Sequence, residues 1–208
     1  HLRVRQDAAA GTAAEISVYA ARGEWESFQV VVAGSATNVR ITPPAGAPVT
    51  VKLYREHYVP VTRGSGTYSS QANKPEGPGL YPDALIPFDA PGAAIPRAQP
   101  YAIASGKVQP YWVDLFVPSS CPAGEHLLPF TIDSDQGSAT VTARLTVWAF
   151  ELPQKPALQT AFAYWPPVRG QLQPELLLLE NRIQPTFTDA THSAALDAAG
   201  QSAVHVGF

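Results

Sequence analysis

The groups in this sequence that chemistry could use are five histidines, one cysteine and seventeen carboxylates. The histidines (His1, His57, His126, His192 and His205) show neither H-x-x-x-H nor H-E-x-x-H spacing, so the local sequence supports no metal site. Cys121 is the single cysteine, which excludes an intramolecular disulfide or a cysteine-based metal site; it reads as a small residue in the turn PSSCPAGEH. Glu24 and Glu26 flank Trp25, and strand alternation puts both carboxylates on one face, opposite the indole. Paired carboxylates do acid and base work only in a pocket that shifts their pKa values. Their plainer reading is a polar strand end beside Arg22 or Arg55. His57 stands two residues after Arg55 in REHYV, hence on the same strand face. It reads either as part of a polar surface facing a ligand or second domain, or, favoured, as a strand histidine satisfied by hydrogen bonds.

Other reactive patterns are missing. RGSGTYSS lacks the strand-to-helix context of a G-x-S-x-G nucleophile and reads as a loop. DSDQG at 133–137 reads as a hairpin turn rather than a calcium loop. There is no P-loop or dinucleotide fingerprint, so no cofactor is expected. Flat rings that could face a sugar are Tyr111, Trp112, Phe116, Trp148, Tyr164 and Trp165. Trp112 shares a strand face with Asp114 and Phe116, which suits a core or a seam between domains. Trp148 interrupts a polar face and is expected to cover apolar surface from another element. An aromatic ring buries a large area, so packing is the expected role for most of these.

The elements that must position these groups read as short strands. Ala139, Val141, Ala143, Leu145, Val147 and Ala149 alternate with Thr140, Thr142, Arg144 and Thr146, the pattern of a half-buried antiparallel strand. Phe28, Val30 and Val32 alternate in the same way over Glu26–Val32. Similar runs at Glu15–Ala20, Val39–Thr42, Val49–Val61, Val108–Val117 and His126–Ile132, punctuated by Gly and Pro, predict an antiparallel β-sandwich of the immunoglobulin-like or jelly-roll-like kind. Many of the 21 prolines fall between apolar runs and end strands cleanly. From Arg63 to Gly106 periodicity fades. An ordered excursion is expected there, with Tyr81, Leu85, Ile86 and Phe88 pinned against the sandwich or a neighbour. After FELPQKP the pattern changes: a strand over Leu158–Trp165, a helix over Pro174–Ile183, a short helix over Thr191–Gly200 capped by Gly200, and a strand over Ala203–Phe208. The expected division is 1–153 for the sandwich and 154–208 for a strand-helix-strand segment.

Charged residues are only 15% of the chain and the formal net charge is -3, so nothing favours nucleic acid or an anionic membrane as partner. No apolar run nears the roughly 20 residues a membrane span needs. There is no methionine, so His1 is not read as a translational start, and removal of a preceding segment is expected.

Six segments carry a resemblance: ARGEWESFQVVV at 21–32, LYREHYVPV at 53–61, YPDALIPF at 81–88, YWVDLFVPSSCPAGEH at 111–126, LTVWAFELPQKPALQTAF at 145–162 and LLENRIQP at 178–185. Together they resemble the N-terminal region of bacterial family 123 glycoside hydrolases and their DUF4091 relatives, over nearly the whole chain and in the family's order. The resemblance implies a sandwich preceding a (β/α)8 barrel that removes β-linked N-acetylgalactosamine by a substrate-assisted route, through an adjacent Asp-Glu pair on the barrel. No adjacent Asp-Glu pair occurs here, and a barrel needs about 250 residues. No catalytic residue is therefore carried over, and no catalysis is expected from this chain alone.

The resemblance implies a secreted, extracellular or cell-envelope protein whose partner is the catalytic barrel of its parent. The 154–208 segment is then the barrel's first unit, and Tyr164 and Trp165 end its first strand. The candidate contacts with that barrel, or with a glycan, are Glu24, Trp25, His57, Tyr81, Asp83, Trp112, Trp148, Tyr164 and Trp165. A carbohydrate-binding module is the competing expectation and calls for coplanar exposed aromatics. A bracing domain instead buries Trp112, Trp148 and the 81–88 patch. A lone parallel unit leaves sheet edges open, so 158–208 is expected to dock on the sandwich, with self-association as the hazard.

Overall fold

The computed structural model describes residues 3–9, 11–63, 77–89, 96–163, 171–186 and 188–202. Among them the strands are β1 (Glu15–Arg22), β2 (Glu24–Ala33), β3 (Ala36–Thr42), β4 (Thr50–Val61), β5 (Gly79–Pro87), β6 (Tyr101–Ile103), β7 (Val108–Val117), β8 (Gly124–Ser134) and β9 (Gly137–Glu151). They form two facing sheets, ordered β1-β9-β8-β3-β6 and β2-β7-β4-β5. The chain is mostly β, as its alternation predicts. On β7, Tyr111, Val113, Leu115 and Val117 are buried while Trp112, Asp114 and Phe116 turn outward. Side chains from both sheets make one core, and Phe28 of one sheet meets Phe130 of the other edge-to-face at 5.6 Å.

One pairing departs from the antiparallel expectation. β1 and β9, the first and last strands, run parallel, with Glu15 opposite Thr142 and Ala20 opposite Val147. The chain changes sheets at Gly23, whose φ of 77° suits a residue without Cβ. β1 is thereby confined to the sandwich edge beside β9, which runs the same way.

The 63–106 excursion contains more order than its composition suggests. Gly79–Pro87 is a strand on the open edge of the four-stranded sheet, paired with β4 through a register shift between Glu56 and Tyr58. Pro82 and Pro87 are tolerated there because an edge strand can spare backbone donors. Ile86 is buried, and Phe88 packs edge-to-face on Tyr111 at 6.0 Å. Leu85 is 42% exposed, which corrects the expectation that it is pinned, while Tyr81 is half-buried beneath Arg5.

Past β9 the expected strand Leu158–Trp165 reduces, in its described part, to one parallel bridge between Phe162 and Pro185. The helix α1 covers Leu172–Glu180 rather than Pro174–Ile183, and Leu177, expected on its apolar side, is 57% exposed. Asn181 caps α1 and Arg182 follows in the left-handed region at φ 60°. A 3-10 turn (Ala190–His192) leads into α2 (Ser193–Ala198). Gly200 sits just past its end at φ 98°, and Gln201 N–H donates to the Leu196 carbonyl at 2.9 Å, which closes the helix. The parallel partner of the 158–163 segment thus arrives immediately after α1. The strand expected at Ala203–Phe208 lies outside the described residues, as do Tyr164 and Trp165.

Candidate functional site

The sandwich end formed by the β1–β2 turn, the end of β7 and the end of β9 receives the C-terminal segment. Arg182 reaches back and donates from Nη2 to the Gly23 carbonyl at 2.8 Å and the Leu152 carbonyl at 3.2 Å, and from Nη1 to the Pro153 carbonyl. Its left-handed backbone aims the side chain across the seam. Beside it, Lys52 Nζ pairs with Glu180 Oε1 at 2.9 Å and lies 4.4 Å from the Trp25 ring centroid. Burial alone would lower the Lys52 ammonium, but the Glu180 bond and charge outweigh it and raise the pKa. Trp25 in turn packs on Phe116 at 5.1 Å. Gln154 Nε2 donates to the Ala198 carbonyl at 2.7 Å, and Lys155 pairs with Asp197. A cleft of about 370 Å³ runs along the seam between Phe116, Leu152, Leu179 and Arg182. Within the segment, buried Glu175 pairs with His192 Nδ1 at 2.8 Å, and buried Gln184 accepts from Ser202 N–H at 2.9 Å.

From this seam a polar and aromatic face spreads over the outside of the four-stranded sheet. Strand register aligns Trp25 with Phe116, Ser27 with Asp114 and Gln29 with Trp112 on β2 and β7, and Lys52 and Tyr54 with Asp114 and Trp112 on β4. Asp114 Oδ1 accepts from Ser27 Oγ and from Trp112 Nε1, each at 2.6 Å. Gln29 Nε2 donates to Glu56 Oε1 at 2.6 Å. Burial raises the Glu56 carboxyl, against the pull of that bond, and burial also raises the Tyr54 phenol. Fixed rings edged by oriented amide and carboxylate groups can receive either a protein surface or a sugar.

The residues singled out in the sequence scatter. Trp25 and Trp112 belong to this face. Glu24 is structural: its Oε2 accepts from Ala21 N–H at 2.7 Å, closing the β1–β2 turn. Burial, then the Glu24 charge, raises the Glu26 carboxyl. His57 is partly buried on β4. Tyr81 donates its hydroxyl to the Gly77 carbonyl at 2.7 Å, and Arg5 lies over its ring. Asp83 is exposed, between the Pro82 and Leu85 pairings where the β4–β5 register shifts. Trp148 corrects its expectation: it is 44% exposed and stacks at 16° and 5.6 Å on Phe150, itself 51% exposed, on the other sheet. Lys52, Glu56 and Arg182 were not singled out. None of the three carried a local signal: Glu56 lies in the polar run Arg55-Glu56-His57 of β4, where a buried carboxylate looks no different from its neighbours. Among the described residues no three His, Cys, Asp or Glu side chains gather as a metal site would require.

No protein-family model and no curated protein matches the chain. A solved structure does: a family 123 glycoside hydrolase from Clostridium perfringens, studied for glycolipid glycan hydrolysis, aligns with a TM-score of 0.53 and 12% identity. The match covers 79% of this chain and 28% of that enzyme. The likeness is one of fold. An amylomaltase from Corynebacterium glutamicum aligns over 63% of this chain and 12% of its own at 14% identity, with a TM-score of 0.18. No described helix is long and apolar enough to cross a membrane.

Proposed function

We propose that this chain is the non-catalytic front part of a secreted glycoside-hydrolase-like protein, with residues 1–153 bracing a catalytic barrel whose first unit begins in 154–208. The observation that carries the reading is the Arg182 clamp. One side chain from the segment after α1 holds three backbone carbonyls at the sandwich end, the contact expected of a scaffold that fixes the start of a second unit. The fold likeness to a family 123 enzyme supports the same assignment. The test is made in the protein extended by its downstream coding sequence. Arg182→Ala with Lys52→Ala should lower the temperature at which glycoside cleavage is lost, with little change in rate well below it. An extended protein that cleaves no glycoside, or residues 1–153 that cleave one alone, would sink the proposal.

A second reading, a carbohydrate-binding module, draws on the exposed Trp148–Phe150 pair, since an exposed aromatic ring suits the apolar face of a pyranose. Glycan affinity gels separate the two readings. A brace runs through unretarded, whereas a module is retarded and loses that behaviour in Trp148→Ala. Self-association through the 158–208 segment belongs to the first reading and would appear as concentration-dependent mass in sedimentation.

A further inference from the structure

Arg55 is 2% exposed, and among the described residues no carboxylate pairs with it. Its guanidinium donates one long bond, Nη2 to the Arg97 carbonyl at 3.3 Å, and lies 4.2 Å from the Tyr101 ring centroid. Among the described residues Nε has no acceptor. Directly opposite on β7 stands Tyr111, fully buried, whose hydroxyl also has no hydrogen-bond partner among them. Burial holds that phenol well above its ordinary value, so it remains a donor. Two unspent donors, one of them cationic, therefore stand on residues that face each other across paired strands.

The neighbouring charge does not resolve this. Glu56 follows Arg55 in sequence, so alternation sends it to the opposite face, where Gln29 binds it. A buried cation left without a counter-charge is among the costliest features a core can hold. A ring face and one carbonyl offset part of that cost, but neither supplies negative charge.

We infer that the position between Arg55 and Tyr111 binds a small monovalent inorganic anion of the size of chloride. Arg55 Nε–H and the Tyr111 hydroxyl are the two donors such an ion would take. Gln109, two residues before Tyr111 on β7, adds no donor, since its Nε2 is spent on the Glu56 and Pro110 carbonyls; two donors suit a monatomic ion better than a polyoxyanion. The role is structural, a neutralising ion that locks β4, β7 and the 97–103 stretch together, and it is independent of the bracing proposal.

Thermal unfolding at constant ionic strength tests this, with sodium chloride or bromide exchanged for sodium gluconate. The midpoint should rise saturably with chloride. Tyr111→Phe keeps the ring but removes one donor, so it should raise the half-saturating chloride concentration about fivefold, the equivalent of one neutral hydrogen bond. Arg55→Met should abolish the dependence; if that variant does not fold, Tyr111→Phe carries the test. Crystals soaked in bromide should show anomalous density against Arg55 Nε. A melting curve indifferent to chloride, an equal chloride effect in Tyr111→Phe and Arg55→Met, or a site holding only water would overturn the inference.

Discussion

Arg182 alone supplies three of the hydrogen bonds that dock the C-terminal segment, beside those of Lys52, Gln154 and Lys155. A non-glycine residue at φ 60° is uncommon and locally strained, so its bonds to the Gly23, Leu152 and Pro153 carbonyls must outweigh that strain. Arg182→Ala should therefore weaken amide protection across 171–202 by about 2–3 kcal/mol, the range for charge-assisted bonds, while β7–β9 keep theirs; hydrogen exchange reads both. Arg182→Gly relaxes the backbone yet should release the segment as fully. Glu56 works in the opposite direction. Burial raises its carboxyl above the ordinary 4.5, so the fold favours the protonated form. The stability it contributes is present below that unfolded value and lost as pH rises through the folded one. Glu56→Gln keeps an acceptor for Gln29 and removes the buried charge, so the urea midpoint should increase at pH 7 and change little at pH 4. Tyr58 and Tyr111 obey the same sign at the alkaline end. Burial lifts both phenols above 10.0, so stability should hold up to about pH 10 and fall beyond it. Tyrosinate absorbance and near-ultraviolet dichroism should then change together.

At the level of elements, the β1–β2 turn is the receiving half of the clamp. A Cβ on Gly23 would stand 3.1 Å from the Leu152 carbonyl oxygen and 3.3 Å from Arg182 Nη2, at a φ of 77° that side chains resist. Gly23→Ala should thus cost about 1 kcal/mol in the turn and also release the 171–202 segment, which limited proteolysis would detect as cleavage beyond Leu152 with the sandwich intact. Most strands were legible because period-two alternation is a local property: Phe28 and Val30 on β2, or Leu145 and Val147 on β9, announce a buried face without reference to any partner. β5 was hidden because Pro82, Pro87 and the register shift break that period, and an edge strand needs less of it. The parallel bridge at Phe162 and Pro185 was hidden for another reason. A single pair has no period, and the choice of Pro185 over a later segment depends on how α1 folds back.

Across the molecule, sequence located the core and most strands but only fragments of the candidate site. Trp25 and Trp112 were visible as aromatics at strand positions. Lys52 and Arg182 gain their meaning only when β4 and the end of α1 meet, a long-range event that no local spacing encodes. Trp148 was misjudged because a ring on a polar face usually has something to cover, and here its neighbour is another exposed ring. If nothing docks there, Trp148→Ser with Phe150→Ser should leave the melting temperature nearly unchanged and improve solubility, which turbidity against concentration would show. The parallel pairing of β1 with β9 has a mechanical corollary. A tension drawing the leading end of β1 away from the trailing end of β9 pulls two like-directed strands lengthwise past each other. Their shared rungs are then loaded together in shear, whereas a hairpin under the same pull unzips rung by rung. Force spectroscopy should record a single abrupt rupture as this closing pair gives way, before the sheets behind it come apart.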